Sequence, residues 1–101
     1  MKYYYHGTDH RNLQNILNYG LQPQERTGDS PFRESTTRRI YLLDDPEEVE
    51  WYAHPGGVIL RVRIPPNVEV RQSMYTEGYY VTKPIPPKYI EVYKTVPLLM
   101  S

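Results

Sequence analysis

His6, Tyr41, Tyr52 and Glu77 are the residues whose types and positions could act together in chemistry. His6 is followed by Gly7 and Thr8. An imidazole can exchange a proton or hold a hydroxyl, a glycine lets a ligand approach the main chain, and a threonine adds a hydroxyl donor. A lone strand-end histidine is more often satisfied by backbone than by a ligand, so the tripeptide by itself is a weak signal. Tyr41 and Tyr52 stand eleven residues apart. A strand-turn-helix reversal between them would let the rings face each other across a slot for a planar heteroaromatic ring, because offset stacking adds to area burial. The competing reading is two core tyrosines. Glu77 enters a short strand through Gly78. A carboxylate there could hold a sugar hydroxyl and stabilise an oxocarbenium-like centre, although a glutamate is commonly just solvated. Arg38, Arg39, Arg61 and Arg63 offer charge-assisted contacts to an anionic group.

Composition removes several other chemistries. There is no cysteine, which excludes disulfides, thiolate metal sites and a cysteine nucleophile. His6, His10 and His54 lack a zinc-binding spacing, and no Gly-x-Gly-x-x-Gly, Walker A or nucleophile-elbow pattern occurs. Asp44, Asp45, Glu47 and Glu48 cluster, but capping of a helix accounts for them better than a cation does. Twelve basic and twelve acidic residues give net charge +0, so a long-range grip on nucleic acid is not indicated, while a local Arg patch is compatible with it. No apolar run approaches the ~18 residues of a membrane span, and the N-terminus has no signal-peptide pattern. The expectation is a soluble cytoplasmic protein in which residues 1–101 form a single domain. Eleven tyrosines supply much of its apolar mass, each with a hydroxyl needing a partner.

These side chains need elements to position them. Tyr3-Tyr4-Tyr5 reads as a strand that stops at His6-Gly7. Asp9 then caps a helix whose Leu13, Ile16 and Leu17 share a face, with Gly20 as its C-terminal stop. Residues 22–38 lack apolar periodicity and form a long polar loop, where a substrate-recognition segment could sit. Ile40 to Leu43 is a strand, and Asp45-Pro46-Glu47-Glu48 starts a helix with Val49, Tyr52 and Ala53 facing inward. Gly56-Gly57 reverses the chain into a strand over 58–64, with Val58, Leu60, Val62 and Ile64 on one face and Arg61 and Arg63 on the other. Further strands are expected over 68–71, 79–81 and 89–93, with Pro84 to Pro87 as a rigid connector. Two early helices among strands without βαβ alternation predict an α+β domain with mostly antiparallel pairing.

In this order the pieces resemble the ADP-ribosyltransferase fold of the His-Tyr-Glu type. The resemblance rests on YYHGTDHRNLQNILNYGL at residues 4–21, RIYLLDDPEEVEWYA at 39–53 and EGYYVTKPIPPKYI at 77–90. It implies a small fold of split, mostly antiparallel β-sheets with two short helices, using NAD as substrate. It further implies that His6 binds the NAD ribose, that Gly7 holds the nicotinamide amide through its backbone, and that Tyr41 and Tyr52 sandwich the ring. Glu77 would orient the ribose for attack at its anomeric carbon. His6, Tyr41 and Glu77 are thus the implied catalytic residues, and Gly7, Thr8, Gly20, Arg39 and Tyr52 join His6 and Tyr41 as implied NAD-binding residues. The last block is also similar to the NAD-dependent RNA 2'-phosphotransferases, with Arg38 or Arg39 as the matching basic residue. Those enzymes carry a further N-terminal winged-helix lobe with an Arg-His pair that has no counterpart in these residues. The resulting expectation is transfer of ADP-ribose to a protein or nucleic-acid acceptor with release of nicotinamide. A 2'-phosphotransferase-like enzyme and a catalytically inactive NAD- or ADP-ribose-binding or inhibitory module are the alternatives.

Overall fold

A computed structural model describes residues 2–23, 38–52, 55–73 and 78–96, with the backbone alone for Trp51 and Tyr52. The first strand, β1, runs Tyr3–Asp9. A 3-10 turn at His10–Asn12 leads into α1 (Leu13–Tyr19), and β2 (Ile40–Leu42) precedes α2 (Pro46–Tyr52). Then come β3 (Gly57–Arg63), β4 (Arg71–Gln72), β5 (Tyr79–Val81), a 3-10 turn at Pro87–Tyr89 and β6 (Ile90–Thr95). The strands form two three-stranded sheets, ordered β1-β3-β6 and β2-β5-β4, with every named pairing antiparallel. The expected α+β class with antiparallel sheets is therefore what the chain adopts.

The alternation read in β3 decides the packing. Val58, Leu60 and Val62 are buried and join Ile40 and Leu42 of β2 and Val81 of β5 in one apolar cluster. Each such side chain contributes about 1.5–3 kcal/mol by leaving water. Tyr4 and Tyr79 meet edge to face across the two sheets, with ring centroids 5.4 Å apart. On the opposite face of β3, Ile59 is fully buried at the end where α2 covers the sheet, and Arg61 and Arg63 lie beyond it. Asp45 caps α2 as expected, accepting from the Glu47 amide at 2.9 Å, whereas Asp9 accepts from the Arg11 amide at 2.9 Å and so caps the 3-10 turn, leaving the start of α1 at Asn12 without a side-chain cap.

Several local expectations change. The strand β1 does not stop at His6; pairing with β3 carries it through Gly7, Thr8 and Asp9, opposite Ile59, Val58 and Gly57. The Leu17 side chain is 40% exposed, because short α1 buries Ile16 and leaves its neighbour outside. The strand expected over 68–71 is reduced to Arg71–Gln72, since Val68 closes a turn onto the Pro65 carbonyl and gives its side chain to the core. Pro87 starts a 3-10 turn, which delays the last strand to Ile90. Of the polar loop, residues 24–37 lie outside the described residues. Among the described residues, no helix is long and apolar enough to cross a membrane.

Gly20 stops α1 with φ 84°, and its amide donates to the Ile16 carbonyl at 2.7 Å. Leu21 and Ile85 then exchange two backbone hydrogen bonds of 2.9 Å, which bring the chain so close that a Cβ on Gly20 would lie 2.1 Å from the Ile85 carbonyl oxygen. Gly20→Ala is accordingly expected to destabilise the fold by about 2 kcal/mol or more, read from urea denaturation. A loss below about 0.5 kcal/mol would show that this contact does not constrain the fold.

Candidate functional site

The candidate site lies where β1 and β2 meet and then separate. Tyr5 and Leu43 exchange backbone hydrogen bonds of 2.7 and 2.9 Å, forming an isolated antiparallel bridge between the two sheets. In a continued ladder the next such pair would be Gly7 and Tyr41. Among the described residues that pair makes no backbone hydrogen bond. Instead the Nδ1 of His6 donates to the Tyr41 carbonyl at 2.7 Å. Strand groups alternate in direction, so the Gly7 N–H and C=O point the same way as those of Tyr5, toward β2. They face the opening, with a donor and an acceptor side by side.

His6 is half-buried, and burial lowers its basicity below the ordinary value of 6.5, partly opposed by the bond to Tyr41. A neutral ring that donates through Nδ1 keeps a lone pair on Nε2. Among the described residues Nε2 has no protein partner, so it can accept from a hydroxyl. Gly7 carries α2 directly above it: a Cβ there would meet the Val49 Cγ1 atom at 3.1 Å. The Thr8 hydroxyl accepts from the Asn12 amide at 3.5 Å, a long contact that leaves it adaptable.

Tyr41, Arg39 and Leu43 occupy the face of β2 that points away from buried Ile40 and Leu42. Tyr80 lies directly across from Tyr41, with centroids 6.4 Å apart and planes inclined by 52°. The Arg39 guanidinium stacks 4.1 Å above the Tyr80 ring, and its Nε is buried with no hydrogen-bond partner among the described residues. A buried donor of a permanently charged group without a partner calls for an acceptor, and an anionic one answers it best. Tyr80 was not among the sequence candidates. The alternation of Tyr79 and Tyr80 in β5 was the available signal: one ring had to face the core and the other this surface. Arg61 and Arg63 belong elsewhere, on the outer face of the first sheet, where Glu91 and the Lys88 carbonyl engage them.

The structure thus brings together His6, Gly7, Tyr41 and Arg39 of the expected set. Tyr52 ends α2, the helix that covers Gly7, while its side chain, like all of Glu77, lies outside the described residues. Gly20 is fully accounted for by the turn onto Ile85. Among the described residues no three His, Asp or Glu side chains gather as metal ligands would. Comparison with models of known protein families and with curated proteins finds no match.

The lowered basicity of His6 has a testable consequence. The unfolded chain takes up the His6 proton at higher pH than the folded protein does, so this stability is complete above 6.5 and declines as pH falls toward the folded value. The His6 ring should titrate below 6.5 by NMR, and His6→Gln should flatten the acid side of the stability profile. A ring titrating at or above 6.5 would contradict the burial-dominated account.

Proposed function

We propose that this chain is an NAD-dependent ADP-ribosyltransferase of the His-Tyr-Glu type, with its two separated sheets as the split sheets of that fold. The observation that carries the reading is the open main chain of Gly7 beside His6, at the point where the β1–β2 ladder ends. A primary carboxamide such as that of nicotinamide presents an N–H and a carbonyl oxygen side by side, and these complement the Gly7 C=O and N–H. The Nε2 of His6 would accept a ribose hydroxyl. Tyr41 and Tyr52 would flank the nicotinamide ring, and the unpartnered Nε of Arg39 suits a pyrophosphate oxygen.

In this reading the bond between nicotinamide and the ribose anomeric carbon breaks as positive charge builds on the sugar. Glu77 would stabilise that charge and orient the hydroxyls, and a nucleophile of the acceptor would then attack the anomeric carbon. An acceptor bearing a 2'-phosphate, as in the RNA 2'-phosphotransferases, is a second reading favoured by the same Arg39 donor, since a phosphate monoester would satisfy it as well.

Incubation with adenylate-labelled NAD, with and without RNA, DNA and protein, should release nicotinamide and label an acceptor. His6→Ala and Tyr41→Ala should each lower turnover at least about ten-fold, and Glu77→Gln about a hundred-fold with NAD binding retained. Binding of NAD without nicotinamide release under any condition would replace the enzyme with a binding module. Failure to bind NAD at all would overturn the reading.

A further inference from the structure

The outer face of the first sheet carries a second organised surface, distinct from the opening. Its register places Tyr3 opposite Arg63 and Tyr5 opposite Arg61, and Arg61 in turn opposite Glu91 on β6. Tyr3 is 37% exposed and Tyr93 45%, and among the described residues α2 covers this face at the Gly7 end. Tyr5 and Tyr93 meet edge to face at 5.1 Å, so two rings from the outer strands converge over the middle one. The Arg61 guanidinium lies 4.7 Å from the Tyr3 ring centre, and Arg63 lies 5.5 Å from that of Tyr89. Lys88 approaches the same Tyr89 ring at 5.3 Å.

Charge here differs from that of the whole chain. Net charge is +0 overall, but here Arg61 pairs with Glu91 while Arg63 and, in the turn before β6, Lys88 have no carboxylate partner among the described residues. Rings alternate with cations across the strands, so a partner must offer flat π-surfaces and negative charge at a similar repeat. An apolar protein partner would bury these cations without compensation. Unpaired bases on a phosphate backbone meet both demands, since any base can stack on a ring or a guanidinium plane. A duplex keeps its bases stacked on one another and offers charge alone.

We propose that the Tyr3, Tyr5, Tyr93, Arg61, Arg63 and Lys88 face is a docking surface for single-stranded nucleic acid. Tyr5 and Gly7 share one face of β1 two residues apart, about 7 Å by strand geometry. The platform therefore runs up to α2, the helix that covers Gly7 beside the candidate site. This deepens the proposed function by naming the acceptor class, and it rests on that reading for the transfer step but not for binding.

The test is fluorescence anisotropy of the full chain, without NAD, against labelled mixed-sequence RNA and DNA single strands, the matching duplex and an acidic peptide. Saturable binding of single strands, weaker for duplex and peptide and falling with salt, is expected. Tyr3→Ala with Tyr93→Ala should weaken single-strand binding about ten-fold or more, leaving the melting transition and NAD affinity unchanged. If that pair impairs folding, Arg63→Gln should lower the salt dependence by about one phosphate contact. Absence of saturable single-strand binding would overturn the proposal, as would equal binding of the duplex or peptide. Single-strand binding insensitive to these substitutions would do the same. Single-strand binding in a chain that does not bind NAD would leave this surface standing and remove the transferase reading. NAD turnover without single-strand binding would do the reverse.

Discussion

The hydrogen bond from His6 Nδ1 to the Tyr41 carbonyl is the interaction on which the rest of the site depends. Two strands joined at Tyr5 and Leu43 have every reason to zip further, because each additional pair satisfies two backbone groups. Here the ladder ends after one bridge. The imidazole satisfies the Tyr41 oxygen that a continued ladder would have used, which lets β2 turn away without leaving that oxygen unpaired. Gly7 is then left with its donor and acceptor toward the gap. A fully zipped β1–β2 pair would merge the sheets and close the opening that defines the site.

Holding two sheets apart at one edge requires that they be held together elsewhere. The buried face of β3 does this, because Val58, Leu60 and Val62 pack with residues of both β2 and β5 in one cluster. Tyr4 and Tyr79 add a ring contact between the sheets, with the Lys2 ammonium 5.2 Å from each ring centre. The reverse connection at Gly20 ties α1 to the segment before β6 through Leu21 and Ile85. The end of the β1–β2 ladder is therefore a local interruption in pairing between sheets that share one buried cluster. Burial around His6 follows from the same packing and lowers the basicity of its ring.

The tyrosines show how one residue type serves several physical roles. Tyr4 and Tyr79 are used as core aromatics, Tyr41 and Tyr80 line the surface beside the gap, and Tyr3, Tyr5 and Tyr93 build an open platform. Strand alternation does the sorting. Tyr3 and Tyr4 are neighbours in sequence and point to opposite faces, as do Tyr79 and Tyr80. A phenol can fill each role because its ring takes burial while its hydroxyl tolerates water.

Much of this was legible in the residues alone. The β3 alternation, the Asp45 cap, the Gly20 stop and the α+β class follow from local periodicity and turn chemistry, which act over a few residues and need no partner to be read. What the tertiary structure decided is everything that depends on pairing across distance. It carried β1 through Gly7 by matching it to β3, and it ended the β1–β2 ladder at one bridge. It also set Tyr80 against Tyr41 and Arg39, and gathered Tyr93 with Tyr3 and Tyr5 on one face. The reason is geometric: side-chain alternation is written in each strand, whereas register between strands is fixed only when distant segments meet and their faces must agree.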